Sequence, residues 1–179
     1  ERIEIDNEIK SVFRQDPKEE FRVKFALQPR GTESLTDEDR DDNYIDLFTD
    51  AEYGSIDYKA IREFLEHKYP FCVSRSLENV SFGTNFVVGN SINDCVKIDL
   101  YYTDEFIELP IYIENIRMAT ANEIIAMKLD VILRGGRKKD FWDLHFFLNK
   151  INLEEMISLF QKRYPYNDDS DKIKSQLIN

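Results

Sequence analysis

The first clear pattern along the chain has a period of two. Phe21, Val23, Phe25 and Leu27 alternate with Arg22, Lys24 and Ala26, the signature of a half-buried strand. Pro29 has no N–H to donate to a ladder and ends it. Residues 1–13 mix helix formers with weak periodicity and read as helical. Residues 31–43 are polar and strongly acidic and read as an exposed loop, with solvation the plain explanation of the charge run. Apolar character returns at Tyr44–Thr49, a short strand interrupted by Asp46. Asp57 then caps a predicted helix through Tyr69, with Ile61, Phe64 and Leu65 on its buried stripe and Pro70 as its stop. Phe71–Ser76, Phe82–Val88 and Cys95–Tyr102 read as three strands. Gly89-Asn90 is the hairpin signal between the last two, in a connection longer than two residues. Residues 111–118 form a further predicted strand.

From Thr120 onward the period changes to that of a helix. Thr120 and Glu123 make a capping box ahead of an apolar run that ends near Leu133, and Gly135-Gly136 closes it. A second helix runs from Lys138 to Asn149. A third starts at the Asn152/Glu155 box and stops at Pro165. Residues 168–179 open a further helix that the end of the sequence cuts short, as expected of a truncated part. There are no internal repeats. Mixed strands followed by helices predict an α+β fold: a mixed-sheet core over 1–119 and a helical part over 120–179, packed on that core as one domain.

Composition narrows the chemistry. With 24 basic and 35 acidic side chains in 179 residues, the net charge of −11 repels a phosphate backbone on average. Any polyanion must therefore be met by a local patch or by bound cations, and Arg134, Arg137, Lys138 and Lys139 form one such patch. No apolar run approaches the ~20 residues of a membrane span. Cys72 and Cys95 lack a CxxC arrangement, so neither a disulfide framework nor a cysteine zinc site is predicted. Reduced thiols and a cytoplasmic location are expected. His67 and His145 lack metal spacing, and there is no GxGxxG, Walker loop or serine elbow.

Three positions resist a purely structural account. Asp46 breaks an apolar strand and shares a strand face with Tyr44 and Phe48, where an ionised carboxylate needs water, a partner or a metal. Asp99 breaks the strand Val96–Tyr101 in the same manner. If the two strands are neighbours, the aspartates stand side by side, which raises one pKa or demands a cation. Carboxylates suit Mg²⁺ or Mn²⁺. Lys128 projects near the centre of the apolar arc made by Ile124, Ile125, Leu129 and Ile132, where it either snorkels to the surface or delivers an ammonium into a cleft. Asp140 and Asp143 follow at i, i+3. Asp140 lies in a first helical turn, where an acidic residue is favourable in any case.

Ala126-Met127-Lys128-Leu129 followed by Lys139-Asp140-Phe141-Trp142-Asp143-Leu144 resembles the AbiEii-type nucleotidyltransferase family. Ile45-Asp46-Leu47-Phe48-Thr49 resembles the end of its first metal motif, and Val96-Lys97-Ile98-Asp99 its following acidic strand. The likeness spans roughly residues 40–148. It implies a nucleotidyltransferase fold with a mixed sheet and flanking helices, from a toxin–antitoxin or phage-defence setting. It further implies Mg²⁺ or Mn²⁺ on Asp46 and Asp99, with Lys128, Asp140 and Asp143 completing the catalytic set. Asp42, Arg134 and Lys139 become substrate-binding candidates. The expected partners are a nucleoside triphosphate, an acceptor that is tRNA, another RNA or a protein, and a cognate antitoxin, with no membrane.

The family's first motif reads arginine, any, serine, any, aspartate, aliphatic, aspartate. Residues 40–46 keep that spacing, but Asp42 stands at the serine position and Tyr44 at the leading aspartate. A phenol is no substitute for an anionic oxygen at neutral pH. Either Asp41 or Asp42 supplies the missing ligand, or the chain is an impaired member. The rival reading is a non-catalytic nucleotide- or protein-binding member of the same fold.

Overall fold

The computed structural model describes residues 23–25, 44–78, 82–113 and 116–178. The expectations for residues 1–13 and 31–43, Asp42 among them, and for the ends of the first predicted strand lie outside the described residues. Backbone contacts group the rest into two units. One holds 23–25, 44–103 and 112–118; the other holds 104–111 and 119–178.

The strands are β1 (Val23–Phe25), β2 (Tyr44–Thr49), β3 (Phe71–Ser74), β4 (Gly83–Ser91), β5 (Asp94–Tyr102), β6 (Ile111–Ile113) and β7 (Ile116–Met118). They form a mixed sheet in the order β3-β4-β5-β2-β1-β7-β6. The fold is α+β, as the order of elements predicts, although residues 111–118 make two short strands rather than one. β2 and β5 are parallel, while β4 is antiparallel to both β3 and β5. Alternation sends Leu47, Phe86, Val88, Ile98 and Leu100 to one face, where each is almost wholly buried.

Helix α1 (Tyr58–Lys68) belongs to this core through Tyr58 and Leu65, with Tyr69 just beyond its end. Asp57 caps it, accepting from the Ala60 N–H at 2.9 Å. One expectation fails here. Phe64 is 49% exposed, because the stripe that faces the sheet runs through Tyr58, Ile61 and Leu65 and Phe64 lies about 100° round the helix from Leu65.

The β4–β5 connection also departs from expectation. β4 continues through Gly89 and Asn90 to Ser91, which pairs with Asp94, so the turn is the two residues Ile92-Asn93. The register shifts between Gly89 and Ser91. A Cβ on Gly89 would collide with the Asp94 carbonyl oxygen. The glycine thus marks a close backbone approach at an irregular ladder rather than the turn itself.

In the second unit, helix α2 (Ala121–Leu133) packs against α3 (Lys138–Leu148), α4 (Leu153–Arg163) and α5 (Ser170–Ile178). Ile125, Leu129, Ile132, Met156, Phe160 and Ile173 are its best-buried apolar side chains. The α2–α3 corner uses Gly135 at φ +95°, where a side chain is strained. Asn152 and Glu155 form the reciprocal box at the start of α4, with contacts of 2.9 and 3.1 Å. Thr120 accepts from the Glu123 N–H at 3.2 Å, but the Glu123 carboxylate does not complete the box. It is buried and turned elsewhere, accepting from the Glu108 N–H at 2.8 Å and from the Arg163 guanidinium.

Candidate functional site

On the face of the sheet opposite the apolar core, the parallel register of β2 and β5 sets Asp46 directly beside Asp99. Neighbouring strands lie ~4.8 Å apart, so two carboxylates occupy adjacent positions on one face. Both are half-buried. Asn85 on β4 is the register partner of Asp99 on its other side, which extends the polar row across three strands. Lys97 shares this face two residues before Asp99, and its Nζ lies 2.8 Å from Asp99 Oδ2. The second oxygen, Asp99 Oδ1, is buried and has no hydrogen-bond partner.

That orphan oxygen is informative. A buried carboxylate oxygen without a donor costs free energy unless something else meets it. The register partner of Asp99 on β2 is a second carboxylate, Asp46. Hard oxygen donors at adjacent positions are the chemistry of Mg²⁺ or Mn²⁺, which keep several waters and need few protein ligands. Among the described residues no three His, Cys, Asp or Glu side chains cluster with metal-holding geometry. Asp46 and Asp99 are of the donor type that such a cation takes, with water or phosphate needed for its other positions.

The second unit holds a separate constellation. Lys128 on α2 places Nζ 2.8 Å from Asp140 Oδ1 and 2.6 Å from Asp143 Oδ2, both on α3. Lys128 is 13% exposed, so snorkelling does not explain it. Asp140 is almost fully buried and uses its other oxygen to accept from the Arg137 N–H at 2.9 Å, at the start of α3. It thus fastens Lys128 and the helix N-terminus together. Burial opposes the charge on both groups. For Lys128 the hydrogen bonds and charges of Asp140 and Asp143 outweigh it and hold the pKa above its ordinary value. For Asp140 the hydrogen bonds from Lys128 and the Arg137 backbone, together with their charges, hold the pKa below the usual carboxylate value.

The basic patch is less open than its sequence implies. Arg134 is tied to the Asp130 carboxylate one turn back, and Arg137 Nε lies 3.5 Å from Asp140 Oδ2. Lys138 and Lys139 are exposed at the start of α3.

A family model described as nucleotidyl transferase AbiEii toxin, type IV toxin–antitoxin system, matches residues 37–177. The chain belongs to this family. No curated protein matches it. As an AbiEii protein it is a nucleotidyltransferase-family toxin of a type IV toxin–antitoxin system, a setting that implies an antitoxin partner and a nucleotide substrate. Nucleotidyltransferases generally use divalent metals. No helix among the described residues is long and apolar enough to cross a membrane.

Sequence reasoning passed over two members of the polar row in this AbiEii chain. Lys97 was visible as a charged residue at i−2 from Asp99, hence on the same strand face. Asn85 carried no signal, because only the β4–β5 register brings it beside Asp99. The buried Glu123–Arg163 pair was equally hidden, since a basic residue at a helix C-terminus has an ordinary explanation.

Proposed function

We propose that this AbiEii protein transfers a nucleotide from a nucleoside triphosphate to an RNA acceptor, such as tRNA, at a rate lowered by its altered first motif. The observation that carries this reading is the register pairing of Asp46 with Asp99, one oxygen of which is buried and unsatisfied. Asp46 and Asp99 would hold Mg²⁺ or Mn²⁺. When bound, the cation supplies charge neutralisation on the phosphates and orients them for in-line attack. The acceptor hydroxyl would attack the α-phosphorus and pyrophosphate would leave. Within the second unit, Lys128 with Asp140 and Asp143 is the further catalytic candidate, and exposed Lys139 with Arg134 are the candidate contacts to the acceptor. The site of action would be the cytoplasm, with a cognate antitoxin as partner.

Tyr44 favours a second reading. It occupies the β2 position two residues before Asp46, where the family pattern has its leading carboxylate, and its register partner on β5 is Lys97. A chain with one carboxylate on β2 instead of two suits a nucleotide- or protein-binding member without transfer activity. The experiment that separates the two is labelled-nucleotide transfer to total RNA by the parent and by Asp42→Ser/Tyr44→Asp. The first reading expects weak, metal-dependent transfer that rises in the double variant. Robust transfer by the parent would assign the missing ligand to Asp41 or Asp42. No transfer by either protein, with no gain in metal binding, would support the non-catalytic reading.

A further inference from the structure

Lys97 carries positive charge toward Asp99 on the shared face of β5. Its Nζ is 2.8 Å from Asp99 Oδ2, and its side chain is 32% exposed against 15% for Asp99. Its register partners are Val87 on β4 and Tyr44 on β2. Asp46 and Asp99 repel one another as neighbours, and an ammonium on Asp99 offsets that repulsion. The same ammonium repels a divalent cation that approaches the pair.

We propose that Lys97 is a placeholder cation: it pairs with Asp99 before ligand binds and swings to pair with the phosphates when a metal–triphosphate complex arrives. This rests on the reading of Asp46 and Asp99 as the cation site. A bare divalent cation must displace the ammonium from Asp99 Oδ2 and then tolerate it nearby. A metal–triphosphate complex brings its own anionic oxygens, and the displaced ammonium pairs with those. Lys97 therefore penalises the bare metal and favours the complex, so that the site fills with metal and nucleotide together. The long flexible stem and partial exposure of the side chain supply the necessary reach.

The test uses Mn²⁺ alone and Mn²⁺ with inorganic tripolyphosphate, which removes any dependence on the base. Affinities are measured calorimetrically for the parent, Lys97→Met, Lys97→Arg and Asp99→Asn, with circular dichroism to establish that each is folded. Lys97→Met is expected to bind bare Mn²⁺ roughly tenfold more tightly and Mn²⁺–tripolyphosphate roughly tenfold more weakly. Lys97→Arg, which keeps the charge, retains the parent's order of affinities. The melting temperature of metal-free Lys97→Met falls and recovers when Mn²⁺ is added, because the cation replaces the lost ammonium. A purely structural lysine does not produce opposite shifts for the two ligands. If Lys97→Met moves both affinities the same way, or neither, while Asp99→Asn abolishes Mn²⁺ binding, the placeholder role is wrong and the metal site stands. If Asp99→Asn leaves Mn²⁺ binding intact, the cation is not held there and both readings fall.

Discussion

Lys128 Nζ lies 2.8 Å from Asp140 Oδ1, inside a helix pair where Lys128 is 13% exposed and Asp140 only 1%. The apolar neighbours of Lys128 in sequence predict that Lys128→Met is tolerated, since the volumes are similar. The two carboxylates reverse that prediction, because the change removes the closer cation from buried Asp140 and leaves only the exposed Arg137 near it. Lys128→Met should lower unfolding free energy by about 3 kcal/mol in chemical denaturation. Lys128→Met combined with Asp140→Asn should recover part of the loss. A single variant as stable as the parent would mean that the pair is not formed in solution.

The same cluster sets a pH window. Asp140 has a lowered pKa, so its contribution is complete above the ordinary value of 3.8 and is lost as pH falls through its folded value. Lys128 has a raised pKa, so its contribution is complete below the ordinary 10.5 and is lost as pH rises through its folded value. The stability difference between the parent and Asp140→Asn should therefore be flat across neutral pH and shrink below 3.8 and above 10.5. Urea titrations at acidic, neutral and alkaline pH measure it. A difference that persists unchanged in acid would show that Asp140 does not act as an anion.

Arg163 and Glu123 are both almost wholly inaccessible, and the guanidinium also donates to the Glu105 carbonyl at 3.2 Å. Glu123→Gln strips the countercharge from a buried guanidinium and should cost about 3–5 kcal/mol. Glu123→Leu with Arg163→Met should cost much less, since paired removal leaves no buried charge. A double-mutant cycle read by thermal melting decides this. Additive losses would mean that the two groups are energetically independent.

Asp46 and Asp99 are register partners, so their contributions to cation binding should be coupled. Asp46→Asn and Asp99→Asn should each weaken Mn²⁺ binding about tenfold or more, and the double variant should fall short of the product of the two losses. Additive, independent effects on calorimetric affinity would argue that the aspartates never share an ion.

The sequence by itself determined most of the elements and the identity of the candidate chemistry. Alternation fixes which face of β2 and β5 carries Asp46 and Asp99, because successive side chains of a strand must point to opposite sides. Local rules likewise placed the caps at Asp57 and Asn152 and the stop at Gly135, since each depends only on residues a turn away. Tertiary structure alone decided what those groups meet. No local pattern states that β2 and β5 are parallel neighbours in the register that joins Asp46 to Asp99 and Asp99 to Asn85. None states that the lysine in an apolar arc finds two carboxylates on the next helix, or that Glu123 abandons its cap for Arg163 forty residues on. Gly89 and Phe64 went astray for the same reason: each answers to a neighbour across the sheet or around the core, and the chain's own periodicity does not specify that neighbour. Periodicity is set by backbone geometry within one element, whereas pairing of charges is set by desolvation, which only the packed chain imposes.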